Sequence, residues 1–163
     1  MKRINLILIA IIACCLSLLS FALYLQIGLD MLPCPLCVGQ RYAFALIALF
    51  CGIALVLPKI QRYLSGLAVL SAIGGAGTAA YQLWIISQPH ASCGIDPLTA
   101  PLNDIFMAKI FPLMFHANGL CETPYDPILG LSIPMWALIW FVILGGTALY
   151  TSVCAKAERK YFK

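Results

Sequence analysis

The fold is decided by the first long apolar run, residues 4–29, which reads INLILIAIIACCLSLLSFALYLQIGL and contains no charged side chain. A helix of roughly 20 apolar residues is long enough to cross a bilayer core of about 30 Å. Three further runs of similar length follow, at about 38–57, 64–86 and 128–153. The sequence therefore predicts an all-α membrane protein, built as a four-transmembrane-helix bundle.

The composition of the whole chain agrees with this prediction. Of its 163 residues, 63% are hydrophobic and 10% are charged, whereas a soluble domain has about 25% charged residues. The net charge of +4 does not indicate nucleic-acid binding, because no basic patch is interleaved with aromatic residues. We expect residues 1–163 to form a single membrane domain.

The N-terminus resembles a secretory signal, because Lys2 and Arg3 precede the apolar run. A signal peptide has an apolar region of only about 7–15 residues and then a cleavage site. Here the apolar run continues to Leu29 without a polar cleavage region. An uncleaved first helix is therefore expected.

Basic residues predict the orientation of the bundle, since positively charged flanks stay in the cytoplasm. Eight of the ten Lys and Arg residues fall on one side: Lys2, Arg3, Lys59, Arg62, Lys156, Arg159, Lys160 and Lys163. Both termini are thus expected in the cytoplasm, with outward loops at about 30–37 and 87–127. In a Gram-negative inner membrane these loops would face the periplasm, where disulfides persist.

The second outward loop contains an apolar stretch at 102–115, LNDIFMAKIFPLMF. A segment this short predicts a helix that lies along the membrane surface. Packing against the bundle is the alternative.

The third apolar run is rich in glycine, with Gly66, Gly74, Gly75 and Gly77. Small residues allow membrane helices to pack closely. A kink at 74–77 is an alternative that the sequence does not exclude.

The eight cysteines form two groups. Four lie inside apolar runs or at the end of one, where cysteine behaves as a small hydrophobe: Cys14, Cys15, Cys51 and Cys154. The other four lie in or beside the outward loops: Cys34, Cys37, Cys93 and Cys121. An even set on the oxidising side is what a disulfide framework requires.

The segment Cys34-Pro35-Leu36-Cys37 is either a metal clip or a redox couple, because its two sulfurs can share an ion or a bond. A structural zinc site usually has two close ligand pairs, but Cys93 and Cys121 are 28 residues apart. Two thiol pairs can instead pass oxidising equivalents in series. We expect a redox relay without a metal, and in a membrane its final oxidant would be a quinone.

Arg41 supports this interpretation. It lies one helical turn after Cys37, so both side chains are expected on one face. A guanidinium can stabilise a neighbouring thiolate and donate a hydrogen bond to a quinone oxygen. The alternative is an arginine that extends to the membrane interface.

Taken together, these residues resemble the DsbB family, disulfide bond formation protein B, a thiol:quinone oxidoreductase. The resemblance is carried by the Cys-Pro-Leu-Cys segment, by Gln40-Arg41, by the loop cysteines and by residues 130–136, GLSIPMW. It covers essentially the whole chain. The order of the motifs differs from the vitamin K epoxide reductase type, where the Cys-X-X-Cys follows the loop cysteines.

The resemblance implies redox-active disulfides Cys34–Cys37 and Cys93–Cys121. A periplasmic DsbA-like thiol oxidase would be reoxidised by attack on Cys93, which releases Cys121. Cys121 would then attack Cys34 and free Cys37. Cys37 would pass the electrons to ubiquinone or menaquinone, with Arg41 holding the pair.

Two other functions are left open by the sequence. One is a paralogue of this oxidase that serves a single client, and the other is a non-catalytic membrane protein stapled by disulfides. The oligomeric state and the roles of His90, His116 and Glu122 are also undetermined by the sequence.

Overall fold

Four long helices form the frame of the molecule. The computed structural model describes residues 2–88, 99–119 and 127–161. Each long helix contains a segment that is long and apolar enough to cross a membrane. The predicted four-transmembrane-helix bundle is therefore confirmed. The helices are α1 (Lys2–Gly28), α2 (Pro35–Val56), α3 (Gln61–Ser87) and, after three short helices, α7 (Ile133–Tyr161).

The long helices pack as a closed ring. Both α1 and α3 contact α2 and α7. The stacked rings of Phe44 and Phe141, with centroids 4.1 Å apart, join α2 to α7 in the core. The outer surface is also apolar, because only 22% of the apolar window of α1 is buried. An apolar exterior on helices of this length suits a lipid environment and indicates a multi-pass membrane protein.

One glycine of α3 provides the predicted close packing. A Cβ on Gly75 would overlap the ring of Phe141, so a larger residue there would push α3 away from α7. By contrast, a Cβ on Gly74 or Gly77 would meet no atom within 4 Å. The helix runs without a break through all of these positions.

Helix α2 begins at Pro35, three residues before the predicted start. Cys34 is its N-cap, with an extended backbone and a sulfur that accepts the backbone N–H of Cys37 at 3.3 Å. Proline suits the first helical position, because that N–H has no partner within the helix. Most of the Cys-X-X-Cys segment therefore opens a helix and does not belong to the predicted loop at 30–37.

Helix α7 begins at Ile133, later than the predicted start near residue 128. Backbone hydrogen bonds of 3.0 and 3.1 Å between Ile128 and Leu131 close a turn before it. Leu129 and Gly130 within this turn have φ values of 53° and 80°. Residues in that left-handed region cannot continue a right-handed helix, so the turn delays the start of α7.

The described part of the second outward loop contains three short helices in place of the single one predicted. They are separated by Ile105 and Phe111, whose backbones are not helical. Several large apolar side chains of this segment are exposed, as a position along a membrane surface would require. The helices are α4 (Thr99–Asp104), α5 (Phe106–Ile110) and α6 (Pro112–Phe115).

Candidate functional site

A cavity of about 410 Å³ lies at the end of the bundle where α2 and α7 begin. All four long helices contribute to its wall, which is mostly apolar. The predicted Cys-X-X-Cys pair and the predicted arginine share this cavity. Six of its lining residues carry a thiol, amide, guanidinium or hydroxyl group: Cys34, Cys37, Gln40, Arg41, Gln82 and Ser132.

The two sulfurs of the Cys-X-X-Cys pair are close together. Cys34 Sγ donates a hydrogen bond to Cys37 Sγ across 2.9 Å. Cys34 is 2% exposed, while Cys37 is half-buried. The N-cap position of Cys34 and the first helical turn together hold the sulfurs in this arrangement. A small movement of either side chain would allow a disulfide bond, as a redox couple requires.

A pair of glutamines extends from the sulfurs into the bundle. Gln82 Nε2, on α3, donates to Cys37 Sγ at 3.2 Å and to Cys34 Sγ at 3.4 Å. Gln40 Nε2, on α2, donates to Gln82 Oε1 at 2.8 Å. Both glutamines are 5% exposed. The site therefore has a buried amide directed at both sulfurs.

Arg41 is buried at this end of the bundle, with 7% of its surface exposed. One of its terminal nitrogens donates to Gln26 Oε1 at 2.7 Å and to the Met114 carbonyl at 3.0 Å. The other donates to the Ala22 carbonyl at 3.3 Å. This inward position does not match an arginine that extends to the interface. These three acceptors are neutral oxygens, so the contacts leave the positive charge uncompensated.

A hydroxyl group also belongs to the cavity. Ser132 Oγ is buried and has no hydrogen-bond partner among the described residues. Serine before a helix commonly uses its hydroxyl to cap the first turn. Here the backbone carbonyl of Ser132, and not its hydroxyl, accepts from Met135 N–H at 3.0 Å. The hydroxyl is thus available to a ligand in the cavity.

Backbone hydrogen bonds fasten the second outward loop to the first one, next to Cys34. The backbone N–H groups of Asn118 and Gly119 both donate to the carbonyl of Pro33, at 3.1 and 3.0 Å. A Cβ on Gly119 would overlap the carbonyl oxygen of Leu32. This approach therefore requires glycine at position 119, and it brings the two outward loops together beside Cys34.

Two further sets of contacts hold the described part of this loop in place. Asn103 joins α4 to Ala117 through two hydrogen bonds of 2.8 and 3.1 Å. The ring of Phe115 stacks on Tyr42 of α2, with centroids 4.3 Å apart. The predicted packing alternative thus applies to the end of this segment, while Phe106 and its neighbours stay exposed.

The loop cysteines predicted as a second pair, Cys93 and Cys121, lie outside the described residues, as do His90 and Glu122. His116 is described, and its buried Nδ1 has no hydrogen-bond partner among the described residues.

The four cysteines predicted as small hydrophobes are packed in the apolar interior. Cys15 and Cys51 are fully buried, and Cys14 and Cys154 pack against the same core.

Comparison with known proteins identifies the family of the chain. Residues 4–151 match the family model described as "Disulfide bond formation protein DsbB". The chain belongs to the DsbB family. It is 47% identical over 158 residues to disulfide bond formation protein B of Herminiimonas arsenicoxydans, which covers 96% of this chain and 100% of the relative.

Two other relatives from the DsbB family have a similar sequence identity to this chain. Disulfide bond formation protein B of Cupriavidus metallidurans is 44% identical over 143 residues, 88% of each chain. Disulfide bond formation protein B 1 of Pseudomonas putida is 48% identical over 131 residues, 79% of this chain and 78% of the relative. Membership in the DsbB family gives the chain a disulfide-forming oxidoreductase role in a membrane.

Three further side chains of the cavity, those of Gln40, Gln82 and Ser132, have no chemical role predicted from the sequence. For Gln40 and Gln82 the sequence carries a signal, because polar side chains within membrane-spanning segments are costly and therefore usually functional. The contact between Gln40 and Gln82 joins positions 42 residues apart, which no local pattern predicts.

Proposed function

We propose that this protein is an inner-membrane protein-dithiol:quinone oxidoreductase. It takes two electrons and two protons from the thiols of a periplasmic DsbA-like protein, whose disulfide re-forms, and delivers them to a membrane quinone, which becomes a quinol. The observation that carries this proposal is the cavity in which Cys34, Cys37 and the buried Arg41 occur together.

The cavity fits the head group of ubiquinone or menaquinone. Its volume of about 410 Å³ is within the usual range for small-molecule sites, about 300–1,000 Å³. The apolar wall suits a lipid-soluble ring, and Arg41 would donate a hydrogen bond to a quinone oxygen. Cys37, the more exposed of the two cysteine residues, would face the ring. A bound quinone would supply the final acceptor that a thiol relay itself lacks.

The loop cysteines would link the soluble partner to this site. The partner thiolate would attack Cys93 of the Cys93–Cys121 disulfide, and the released Cys121 would attack Cys34, with Cys37 leaving as a thiolate. Cys121 follows Gly119 by two residues, and two trans peptide units span at most about 7.6 Å. The fastening of Gly119 to Pro33 therefore supports an exchange between the two loops.

The packing at the opposite end of the bundle supports a cytoplasmic position for both termini. Gln61, at the start of α3, donates to Asn5 of α1 at 3.4 Å. Ser152 of α7 donates to the Arg62 carbonyl at 3.1 Å. The basic flanks of α1, α3 and α7 thus share one end, as a cytoplasmic face would. The cavity would then lie toward the periplasm.

Turnover by the full-length chain in lipid nanodiscs tests this function. With a reduced DsbA-like protein and a short-chain ubiquinone, one quinone should be reduced for each partner disulfide formed. Cys37→Ser should abolish quinone reduction. Cys51→Ser is the matched control, because Cys51 lies on the same helix but in the apolar core, and it should keep the activity.

Two results would contradict the proposal. Quinone that stays oxidised in the presence of the unaltered chain and reduced partner would favour a protein stapled by disulfides. Full quinone reduction by the Cys37→Ser variant would show that the electrons leave by another route.

A further inference from the structure

We propose that Gln82 is an additional catalytic residue, whose side-chain amide stabilises the thiolate form of the Cys34–Cys37 pair, and that Gln40 is the positioning residue that orients this amide. The proposal rests on the redox function proposed above for the pair. It assigns a role in the chemistry to α3, which contributes no cysteine to the site.

The geometry gives one amide two sulfur acceptors. Gln82 Nε2 lies 3.2 Å from Cys37 Sγ and 3.4 Å from Cys34 Sγ, within the range of hydrogen bonds to sulfur. An amide nitrogen carries two N–H groups, so both contacts can form together. Since Gln82 is 5% exposed, little of its surface is open to competing water.

The amide stabilises the thiolate form of the pair more than the thiol or disulfide form. Thiol and disulfide sulfurs are weak acceptors, whereas a thiolate is an anion and accepts strongly. A donor fixed beside both sulfurs therefore stabilises the thiolate more than the disulfide. When Cys121 attacks Cys34, Cys37 departs as a thiolate, and a stabilised leaving group departs faster.

Gln40 determines which end of the Gln82 amide faces the sulfurs. Its Nε2 donates to Gln82 Oε1 at 2.8 Å, so the oxygen of Gln82 points toward α2 and the nitrogen toward the cysteines. The reverse orientation would place an oxygen with its lone pairs against a thiolate. Gln40 itself is 5% exposed, and its contact with Gln82 joins α2 to α3 behind the site.

A structural role alone explains this arrangement less well. Buried polar side chains within membrane-spanning segments are costly and usually functional, and apolar residues would join α2 and α3 at lower cost. If the two glutamines served only to join the helices, a hydrogen bond between them would be sufficient. In this structure the amide of Gln82 is also directed at the two reactive sulfurs.

The redox equilibrium of the isolated pair tests the proposal. The full-length chain with Cys93→Ser and Cys121→Ser, in nanodiscs, is equilibrated with reduced and oxidised glutathione, and the Cys34–Cys37 disulfide is quantified by mass spectrometry. Gln82→Leu should shift the equilibrium about tenfold toward the disulfide, the effect of one hydrogen bond to a charged group. That shift equals about 30 mV for a two-electron couple.

Gln40→Leu should shift the same equilibrium in the same direction by about threefold, since it removes one neutral hydrogen bond that orients the donor. In the Gln82→Leu background it should have no further effect. This loss of effect in the double variant is a readout that two independent packing roles would not produce.

Gln61→Leu is the matched control, because Gln61 is also buried and hydrogen-bonded to another helix, but at the opposite end of the bundle. It should leave the equilibrium unchanged. Should Gln82→Leu fail to fold, Gln82→Met replaces it as an unbranched side chain without N–H groups. An unchanged equilibrium in a folded Gln82 variant would overturn the proposal, as would equal effects of Gln40→Leu in both backgrounds.

This experiment separates the inference from the proposed function. The glutathione equilibrium needs neither quinone nor partner, so it reports on the amide alone. Quinone reduction by the chain with all its cysteines reports on the function alone. Failure of the first with success of the second would remove only the role of Gln82.

Discussion

Arg41 carries a permanent charge into an apolar end of the bundle. Burying a charge is costly unless hydrogen bonds replace its hydration. The described contacts to Gln26, Ala22 and Met114 use three of the five N–H groups of a guanidinium. The remaining donors and the positive charge are the features that an electron-accepting ligand with carbonyl oxygens would use.

We expect Arg41→Ala to raise the KM for quinone about tenfold, because a hydrogen bond from a charged donor is lost. The KM for the DsbA-like partner should change by less than about twofold, since the partner would act through the loop cysteines. Steady-state turnover with each substrate varied in turn measures both values. Arg62→Ala, an exposed arginine at the other end of the bundle, is the control. An unchanged quinone KM in the Arg41 variant would remove its binding role.

A second prediction for a single residue concerns the hydroxyl of Ser132. Ser132→Ala should raise the KM for quinone about threefold, the effect of one neutral hydrogen bond, and leave kcat unaltered. Ser17→Ala is a suitable control, because that hydroxyl bonds to its own helix at Ala13. A KM equal to that of the unaltered chain would mean that the hydroxyl does not contact the quinone.

Among the elements, the second outward loop connects most directly to the site. Its described part is fastened at Pro33, at Arg41 and at Tyr42. Two of these contacts are made by backbone groups, which keep their hydrogen-bonding capacity whatever the side chain. The loop is thereby held against the end of α2 that carries the Cys-X-X-Cys pair.

Gly119→Ala should disturb this fastening, because the new Cβ would overlap the Leu32 carbonyl. We expect turnover with the DsbA-like partner to fall about tenfold, since a misplacement of about 1 Å can cost up to a hundredfold in rate. The KM for quinone should change less than turnover, because Gly119 does not itself line the cavity, although its contacts Leu32 and Pro33 do. Gly66→Ala, where a Cβ meets open space, should retain full turnover. Normal turnover of the Gly119 variant would show that the fastening does not matter for exchange.

On the scale of the whole molecule, the site depends on the closed ring of long helices. The cavity takes its walls from all four of them. Gly75 allows α3 to approach α7 closely where Phe141 and Phe44 stack. The position of Gln82, further along α3, follows from this approach.

Gly75→Ala should lower the free energy of unfolding by about 1–3 kcal/mol, as for overpacked cores. Gly74→Ala, whose Cβ would meet open space, should be neutral or slightly stabilising. Thermal unfolding in detergent, followed by circular dichroism, compares the two variants. Equal melting temperatures would show that α3 can move away from α7 at Gly75 without a measurable loss of stability.

The boundaries of the helices show where sequence reasoning succeeded and failed. Hydropathy located all four spans, because a bilayer requires length and apolarity whatever the neighbouring helices are. It misplaced the start of α2, because the cap formed by Cys34 and Pro35 is a local hydrogen-bonding feature. It misplaced the start of α7, because the turn at Leu129 and Gly130 depends on backbone angles that hydropathy does not report.

The amino-acid sequence is enough to establish the membrane class, the number of spans, the DsbB-family resemblance and the candidate residues Cys34, Cys37 and Arg41. Each of these is expressed in composition, in short spacings or in the order of motifs along the chain. Helix packing is needed to show that Arg41 turns inward, that the second loop is fastened beside Cys34, and that Gln40 and Gln82 form a chain of hydrogen bonds to the sulfurs. These contacts join residues far apart in the chain, and they exist only because the helices pack as a ring around one cavity.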